Sequence, residues 1–474
     1  MIKINISGKL VGILEHLNDL GFQPLLVGGC VRDALLNIEP KDIDVEVIGC
    51  SIDQLETALK PFGDIDLIGK AFGILKIKGL DVDFSVPRKE NKIGIGHKEF
   101  AISLEPMTAQ EAATRRDFSF NALAFDPLTN ELLDFFGGQV DINEQVIRHT
   151  SNQFNEDPLR VLRAMQFQSR FDFDIVSRTA KEMKKMSLSI WELAEERISE
   201  EFMKWAIKGN QPERIFDFIR DANLEWFLPE LAILKNIEQD PIWHPCGSVE
   251  NHTILCLKNI IKICQRENII GEEKAILVFA ILLHDIGKAT TSARIFKEKH
   301  GRVVIASHGH ERESGIMAID ILERIGIKAS LIERIIPLIE NHLTHVTIFH
   351  LEKESSQKSA LLKLSRRLVP SSIKDLLFIV EADALGKFPH NETQEEMEIR
   401  VAGEINRVKK LSELINVIDK KRDSILMGRH LIEMGFKPGI IFGEILSKGE
   451  DAQDNLEFTN VEEAKEWVNI NFKL

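Results

Sequence analysis

The chain of 474 residues contains no tyrosine, although it has 27 phenylalanines, a bias that nothing in the sequence explains. Its five cysteines form neither a CxxC pair nor a zinc-finger spacing, which argues against a disulfide framework and favours reduced thiols. No apolar run approaches the roughly 20 residues that cross a membrane. The N-terminal segment MIKINISGKL also lacks the apolar stretch of a signal peptide. We therefore expect a cytoplasmic protein without membrane association.

Positive charge is also in short supply. The 60 lysines and arginines are outnumbered by 74 acidic residues, which gives a formal net charge of −14. This balance argues against a broadly basic surface for nucleic acid, so any RNA contact must use local basic patches and depend strongly on salt. The length predicts about two to four domains.

The stretch LLVGGCVRDALLNIEPKDIDVEV, residues 25–47, places a glycine pair close to an acidic pair. Gly28 and Gly29 follow a short apolar strand and precede a short helix, an arrangement that lets the backbone approach a phosphate. Asp42 and Asp44 alternate along a second predicted strand, so their carboxylates point to the same face. Because such carboxylates repel each other, a divalent cation such as Mg²⁺ or Mn²⁺ is the usual compensation. The stretch predicts a nucleotide-triphosphate site with metal chemistry.

The form GGCVRD…DID resembles the nucleotidyltransferase superfamily, and within it the branch of tRNA CCA-adding enzymes and bacterial poly(A) polymerases. The resemblance implies that Asp42 and Asp44 are the catalytic residues and hold two metal ions. It also implies that the triphosphate and ribose are bound by four residues: Gly28, Gly29, Arg32 and Asp33.

A third carboxylate, Asp83, falls on the second strand of a predicted hairpin over residues 69–83, with Asp81 on the same face. Asp83 matches the family position of a third metal ligand. The alternative is that both carboxylates merely face solvent on an edge strand, and the sequence leaves the two interpretations open. The polar, glycine-dotted segment 89–106 predicts a flexible loop beside the site.

The segment TRRDFSFNALAFDP, residues 114–127, resembles the RRDFTxNAL motif of the same family. Guanidinium groups bind phosphate oxygens bidentately, whereas a surface ion pair is the ordinary alternative for an arginine pair. The resemblance implies that Arg115 and Asn121 contact the nucleotide, with Asn121 facing back from a predicted apolar strand.

The segment EDPLR, residues 156–160, opens a helical pattern that places Asp157 and Arg160 on one face, with Arg163 on the flank. Such a pair is usually a stabilising surface ion pair. Its resemblance to the EDxxR element implies instead that these residues bind the incoming nucleotide. The aspartate accepts a hydrogen bond from the amino group that C and A share, and the arginine donates to the base edge.

A second constellation of histidines and aspartates runs through the later part of the chain, including the contiguous pair in ILLHDIGK. Its order, H…HD…H…H…D, resembles the HD-domain metal phosphohydrolases. The resemblance implies one metal held by His252, His284, Asp285 and Asp383. His310 and His342 then support a second metal or a substrate phosphate, and Lys288 is placed to bind phosphate. Such a mixed donor set fits Mg²⁺ or a divalent transition metal.

The resemblance covers nearly the whole chain and implies an α+β protein with a small mixed-sheet head followed by all-α domains. The predicted domains are a catalytic head (1–148), a helical neck that binds base and RNA (149–235), an HD domain (236–390) and a tRNA-binding helical tail (391–474). The implied reaction is template-independent addition of CCA to tRNA from CTP and ATP, with Mg²⁺ in the head.

Three alternatives stay open at this point. In the first, the transferase adds only CC, only A or a poly(A) tail. In the second, the principal activity is hydrolysis of nucleotides or cyclic phosphates at the HD site. In the third, the chain only binds RNA, which its intact carboxylates argue against. The sequence indicates no protein partner and leaves open a monomer or a homodimer.

Overall fold

The computed structural model describes residues 4–67, 73–87, 89–92, 100–103, 107–344, 348, 351–387 and 392–472. The chain divides into two compact units. The first comprises Met1–Asn210 and Asp217–Trp226, and the second comprises Gln211–Phe216 and Phe227–Leu474. In the described part of the chain, no helix combines the length and apolarity that crossing a membrane requires.

The head of the first unit is built on a mixed β-sheet. Its strands are β1 (Gln23–Val27), β2 (Ile43–Ile48), β3 (Ile65–Asp66), β4 (Ile74–Ile77), β5 (Val82–Ser85), β6 (Lys89–Lys92), β7 (Phe100–Ser103), β8 (Ala124–Asp126) and β9 (Glu131–Leu133). Seven of them form one sheet in the order β3-β4-β5-β2-β1-β8-β9, and β6 and β7 form a separate antiparallel ribbon. A further short parallel pair joins β10 (Val146–Ile147) and β11 (Asp174–Ile175).

The helices up to residue 222 belong to the head and to the predicted neck, and the first three of them pack against the sheet. They are α1 (Gly8–Asp19), α2 (Gly29–Leu35), α3 (Ile52–Leu59), α4 (Ala109–Thr114), α5 (Gly138–Asn143), α6 (Leu159–Phe171), α7 (Ser177–Met186), α8 (Glu195–Lys208) and α9 (Ile215–Ala222). Helix α1 buries the leucine and isoleucine positions that its helical spacing predicts. At the start of α3, Ser51 and Gln54 form the reciprocal hydrogen bonds of a capping box.

The described residues of the second unit form helices and one hairpin. Its helices are α10 (Pro229–Ala232), α11 (Val249–Arg266), α12 (Gly271–Leu283), α13 (Lys288–Thr291), α14 (His310–Arg324), α15 (Ala329–Asn341), α16 (Glu354–Arg367), α17 (Ile373–Leu385), α18 (Gln394–Leu414), α19 (Gly428–Glu433), α20 (Ile440–Asp454) and α21 (Val461–Asn471). Helix α12 is buried from Ala275 to Leu283, as its unbroken apolar run requires. The last three helices enclose a separate apolar cluster that includes Leu431, Ile445 and Phe458.

The mixed sheet and the helical remainder confirm the predicted α+β class. The hairpin predicted over residues 69–83 is present as β4 and β5, which join through a turn with Gly79 at φ +79°, although residues 69–72 lie outside the described part. The segment predicted as a flexible loop, 89–106, contains the ribbon of β6 and β7. Its residues 93–99 and 104–106 lie outside the description.

Two local predictions around the nucleotide motifs are wrong. Residues Ser119–Asn121 form a 3₁₀ turn, and the strand begins only at Ala124. The turn forms because the Asp117 carboxylate accepts the Phe118 N–H and the Asn121 side-chain amide.

The second error concerns Asp157, which precedes α6 instead of sharing a helical face with Arg160. Its backbone is extended, with φ −132° and ψ 108°. The following residue, Pro158, disfavours the helical region for the residue before it. Asp157 instead accepts a hydrogen bond from the Leu159 N–H at 3.0 Å and so satisfies one free donor at the helix start.

An unpredicted hairpin, β12 (Ser292–Lys297) and β13 (Arg302–Ser307), is fixed to the loop before α11 by a buried carboxylate. Both terminal nitrogens of Arg302 donate to Asp240 at 2.8 Å, and the Ile305 N–H donates to the same carboxylate at 3.3 Å. The hydrogen bonds from Arg302 lower the pKa of Asp240 to about 2.

We expect acid to loosen this hairpin. Because the pKa of Asp240 in the folded chain lies below its ordinary value of 3.8, its stabilising contribution is complete above about pH 4. That contribution is lost as the pH falls towards about 2. Hydrogen-exchange protection factors of the β12 and β13 amides should fall across this range. Asp240→Asn should reduce them already at neutral pH.

The matched control is Glu238→Gln, because Glu238 pairs with Arg294 of the same hairpin but both side chains are exposed. Exposed pairs contribute little to stability, so this variant should behave as the wild type does. Equal protection in Asp240→Asn and the wild type would contradict the role given to Asp240.

Candidate functional site

The turn between β1 and α2 brings the backbone close to an arginine. Gly28 has φ +69°, a conformation that favours glycine, and its N–H donates to the Leu123 carbonyl oxygen at 3.1 Å. A Cβ at this position would lie 2.7 Å from Nη1 of Arg116. Arg116 also approaches Glu46 at 3.5 Å. Any side chain at residue 28 would therefore displace the Arg116 guanidinium.

The predicted metal ligands of the head meet on neighbouring strands. Strands β2 and β5 run parallel, and their register sets Asp44 directly opposite Asp83. Asp42 lies immediately before β2, and Lys76 of β4 pairs with Asp83 at 2.6 Å. Asp42 and Asp44 are both exposed at the surface.

The charges at this sheet face suit a cation. Desolvation by the surrounding protein raises the pKa of the Asp44 carboxyl, opposed by Arg116 and reinforced by the charges of Asp83 and Asp42. The raised pKa means that its surroundings do not fully stabilise the ionised form of Asp44. Because hard divalent ions prefer carboxylate oxygens, the donor set fits Mg²⁺ or Mn²⁺.

A buried chain of hydrogen bonds connects α2 with α6. Arg32 donates to Asn121 Oδ1 at 2.6 Å, and Asn121 donates to Asp117 Oδ1 at 3.0 Å. Asp117 Oδ2 in turn accepts from Nε of Arg163 at 2.6 Å. Burial favours the protonated form of Asp117, but the charge of Arg163 and these hydrogen bonds outweigh it and lower the pKa. Asp117 is therefore a fixed negative charge between two cations.

The same chain extends at its other end through Asp33. Arg32 donates to Asp33 Oδ1 at 2.8 Å, and Arg170 donates to Asp33 Oδ2 at 3.0 Å. The Arg32 guanidinium also lies over the rings of Phe167 and Phe171, with centroid distances of 5.3 and 4.9 Å. Arg32 and Asp33 are buried, and their side chains are engaged in these contacts.

The residues predicted to read the base do not pair with one another. Arg160 donates to two backbone carbonyls, Gln153 O at 2.7 Å and Arg115 O at 2.6 Å. Asp157 pairs with Arg197 of α8 at 2.8 Å. The structure thus places Asp157 and Arg160 at the start of α6 with separate partners.

The sequence predicted a nucleotide contact for Arg115 but not for its neighbour Arg116. The structure brings Arg116 to Gly28, and its charge opposes the rise in the pKa of Asp44, whereas Arg115 contributes its carbonyl oxygen to Arg160. Asp117 and Arg170 were also missed as parts of the site. Arg116 and Asp117 could have been predicted as site residues because both belong to the RRD motif. Arg170 could have been found because it lies seven residues, two helical turns, beyond Arg163 on α6.

The second unit gathers all six predicted HD ligands into one cluster. They come from five helices or helix ends, and each is buried: His252, His284, Asp285, His310, His342 and Asp383. His252 Nε2 lies 3.0 Å from Asp383 Oδ1 and 3.4 Å from Asp285 Oδ2. On the other side, His310 Nε2 lies 3.1 Å from Asp285 Oδ1. Asp285 is therefore the centre of the cluster.

The backbone fixes which nitrogen each histidine presents. The Nδ1 atoms lie against carbonyl oxygens: His284 against Ile281 at 2.8 Å, His310 against Ser307 at 2.7 Å and His342 against Ile339 at 2.6 Å. A carbonyl only accepts, so Nδ1 carries the proton and Nε2 keeps its lone pair. Second-sphere hydrogen bonds of this kind orient histidines that bind metals.

The centre of this cluster has polar atoms that the protein itself does not satisfy. His284 Nε2, Asp285 Oδ1 and His310 Nε2 are buried without a hydrogen-bond partner of acceptable geometry in the described part of the chain. Buried polar atoms normally find partners. Lone pairs of imidazole and carboxylate that converge in this way fit a divalent metal.

Four members of the cluster, Asp285, His310, His342 and Asp383, line a cavity of about 250 Å³, which we call the HD cavity. Its other lining residues include Trp243, His244, Lys288 and Lys387. The sulfur of Cys256 lies 3.5 Å from His252 Nε2. This residue was not predicted, because an isolated cysteine within a helix carries no distinguishing signal in the sequence.

Three segments of the chain match known domain families. Residues 25–148 match the poly A polymerase head domain, and residues 249–385 match the HD domain. Residues 172–234 match the "probable RNA and SrmB- binding site of polymerase A".

Two relatives carry the name multifunctional CCA protein. The chain is 31% identical to that of Pasteurella multocida over 373 residues, 76% of this chain and 83% of that protein. It is 32% identical to that of Tolumonas auensis over 378 residues, 77% of this chain and 85% of that protein.

Among solved structures, the CCA-adding enzyme of Bacillus stearothermophilus in complex with CTP has a similar fold. Its TM-score is 0.60 at 17% identity, and 98% of each chain is covered. With a matched catalytic head, RNA-binding segment and HD domain, and with relatives above 30% identity across three quarters of its length, this chain belongs to the CCA-adding tRNA nucleotidyltransferase family.

Proposed function

We propose that this protein adds CCA to the 3′ end of tRNA from CTP and ATP, in the cytoplasm and without a nucleic-acid template. The observation that carries the proposal is the convergence of Asp42, Asp44 and Asp83 on one sheet face beside Gly28 and Arg116. Membership of the CCA-adding family supports the choice of tRNA as acceptor.

Each group in the head then has a separate task. Asp42 and Asp44, with Asp83 beside them, hold divalent ions, which when bound lower the pKa of the attacking 3′-hydroxyl and neutralise the triphosphate. Gly28 lets the triphosphate approach the backbone, and the Arg116 guanidinium donates to its oxygens.

The buried chain of hydrogen bonds supports base selection. It ties α2, which follows the glycine turn, to α6, where Arg160 and Arg163 lie. We infer that Asp157 and Arg160 read the edge of the incoming base at the start of α6. Two backbone carbonyls hold the Arg160 guanidinium in one orientation, which limits the bases it can match.

The proposed domains are the head (1–148), the neck (149–235), the HD domain (236–390) and the tail (391–474). The matches to known domains, over 25–148, 172–234 and 249–385, support the first three. We infer that the tail contributes to tRNA binding.

We propose a second activity, metal-dependent phosphohydrolysis, at the HD cavity. The observation that favours it is the set of buried Nε2 and carboxylate atoms that have no partner of acceptable geometry in the described residues. His252, His284, Asp285 and Asp383 would hold a metal, and His310 and His342 face Asp285 from the other side. The metal would supply an activated water for attack on phosphorus.

The main proposal is tested with a tRNA transcript that ends before its CCA, incubated with Mg²⁺ and CTP, ATP or both. We expect addition of C, C and A followed by arrest, read at single-nucleotide resolution. Asp44→Asn should reduce the rate by about a hundredfold or more, because a carboxylate ligand is lost. Asp64→Asn, which alters an exposed carboxylate before edge strand β3, is the matched control and should retain the rate.

Other products would decide between the alternatives. Arrest after CC, or addition of A only to tRNA that ends in CC, would indicate a split-function enzyme. A long A tail on unrelated RNA would indicate a poly(A) polymerase. Failure to extend any RNA would overturn the proposal.

Arg116 and Arg115 give a direct comparison within one motif. Arg116→Gln should raise the KM for CTP and ATP about tenfold, because a charged hydrogen bond to phosphate is lost. Arg115→Gln should have a smaller effect, since the contact seen for Arg115 uses its backbone oxygen. Steady-state kinetics on the same tRNA measure both. A larger effect of Arg115→Gln would refute the placement of Arg116 at the triphosphate.

Metal binding at the HD cavity is tested on protein stripped with a chelator. Mn²⁺ titration followed by calorimetry should show a site that Asp285→Asn weakens by at least about tenfold, because Asp285 is the centre of the cluster. His300→Asn, which removes an exposed histidine at the tip of the hairpin, is the control. Unaltered Mn²⁺ affinity in Asp285→Asn would argue against a metal at this cluster.

A further inference from the structure

Two lysines supply the ammonium groups that line the HD cavity, and they differ in how firmly they are held. Lys288 is buried and donates to Asp285 Oδ2 at 2.6 Å and to Gln239 Oε1 at 2.8 Å. Lys387 donates to Asp383 Oδ2 at 3.2 Å, and 34% of its side chain is exposed.

The two lysines differ in the number of N–H donors that have no partner within the protein. An ammonium group has three N–H donors. Lys288 uses two of them inside the protein, and only 10% of its side chain is exposed. Lys387 has one hydrogen-bond partner among residues 4–387 and 392–472 so far as these are described, so two donors stay available to a ligand in the cavity.

The backbone holds Lys387 at the cavity. It follows Gly386 at the end of α17, and the Gly386 carbonyl oxygen lies 3.2 Å from His252 Nδ1. A Cβ at Gly386 would lie 2.4 Å from the sulfur of Cys256, so this close approach requires glycine. The contacts of Gly386 that orient the predicted metal ligand His252 therefore also fix the backbone position from which the Lys387 side chain extends.

Charge balance indicates what the free donors bind. Without a metal, each lysine neutralises one of the two buried aspartates. A divalent cation held by Asp285 and Asp383 would leave both ammonium groups in excess, and the cavity would then favour an anion with several acceptor oxygens. Phosphate meets this requirement.

We propose that Lys387 binds the phosphate group of the HD substrate, and that Lys288 is a positioning residue that holds the Asp285 carboxylate. This assignment depends on the phosphohydrolase activity proposed above. It differs from the sequence-based expectation, in which Lys288 binds the phosphate.

The test uses the full-length protein loaded with Mn²⁺ and inorganic phosphate as the probe. Calorimetry measures the Kd of phosphate, and a separate titration measures Mn²⁺ affinity without phosphate. Lys387→Gln should weaken phosphate binding about tenfold and leave Mn²⁺ affinity unchanged, because one charged hydrogen-bond donor is lost. Lys387→Arg should largely restore phosphate binding. Lys288→Gln should weaken Mn²⁺ binding.

The control is Lys374→Gln, which removes an exposed lysine from the other end of α17 and should alter neither affinity. Hydrolysis of p-nitrophenyl phosphate gives a second measurement. With Lys387→Gln, KM should rise about tenfold while kcat stays within about threefold, as expected when ground and transition states lose the same contact.

The outcomes separate this assignment from the activity on which it depends. Wild-type phosphate affinity in Lys387→Gln would overturn the assignment even if the protein hydrolyses phosphate esters. Loss of Mn²⁺ affinity in Lys387→Gln would also overturn it, because Lys387 would then position Asp383. Wild-type protein that binds Mn²⁺ and phosphate but hydrolyses nothing would refute the hydrolase proposal alone. Wild-type protein that binds Mn²⁺ but no phosphate would refute the role of Lys387.

Discussion

The close approach of negatively charged carboxylates is the electrostatic constraint on which both sites depend. In the head, the parallel register of β2 and β5 sets Asp44 opposite Asp83 at an exposed sheet face. In the second unit, Asp285 and Asp383 are buried within reach of the same histidine, His252. Each arrangement costs free energy unless positive charge is brought to it.

The two sites meet this cost differently. In the described part of the head, Lys76 pairs with Asp83 and the charge of Arg116 opposes the rise in the pKa of Asp44, while Asp42 and Asp44 are exposed. The HD cavity has a lysine on each aspartate, and histidines lie against both carboxylates. The carboxylates of the head are exposed and accessible to a large ligand, whereas the HD cavity, which is partly open and has a volume of about 250 Å³, has the size for a small one.

Motifs whose chemistry is local were predictable from the sequence. The alternation in DID and the glycine pair gave the strand and turn at Gly28, and the ordered histidines gave the HD cluster. What could not be predicted is the partner of each charged group, because partners come from distant segments. Arg32 and Asp33 have the composition of a phosphate site, yet Asn121 and Arg170 engage them in a buried chain. Pro158 keeps Asp157 out of the helix. The helical spacing between Asp157 and Arg160 did not reveal this local effect.

The most direct test of the account is Mn²⁺ binding at the head in the presence of CTP. Electron paramagnetic resonance measures it in an Asp285→Asn background, which removes the contribution of the HD cluster. We predict that Asp44→Asn in this background weakens Mn²⁺ binding by at least about tenfold, while Asp64→Asn does not. Undiminished Mn²⁺ binding by the Asp44→Asn protein would contradict the claim that these carboxylates hold the metal for nucleotidyl transfer.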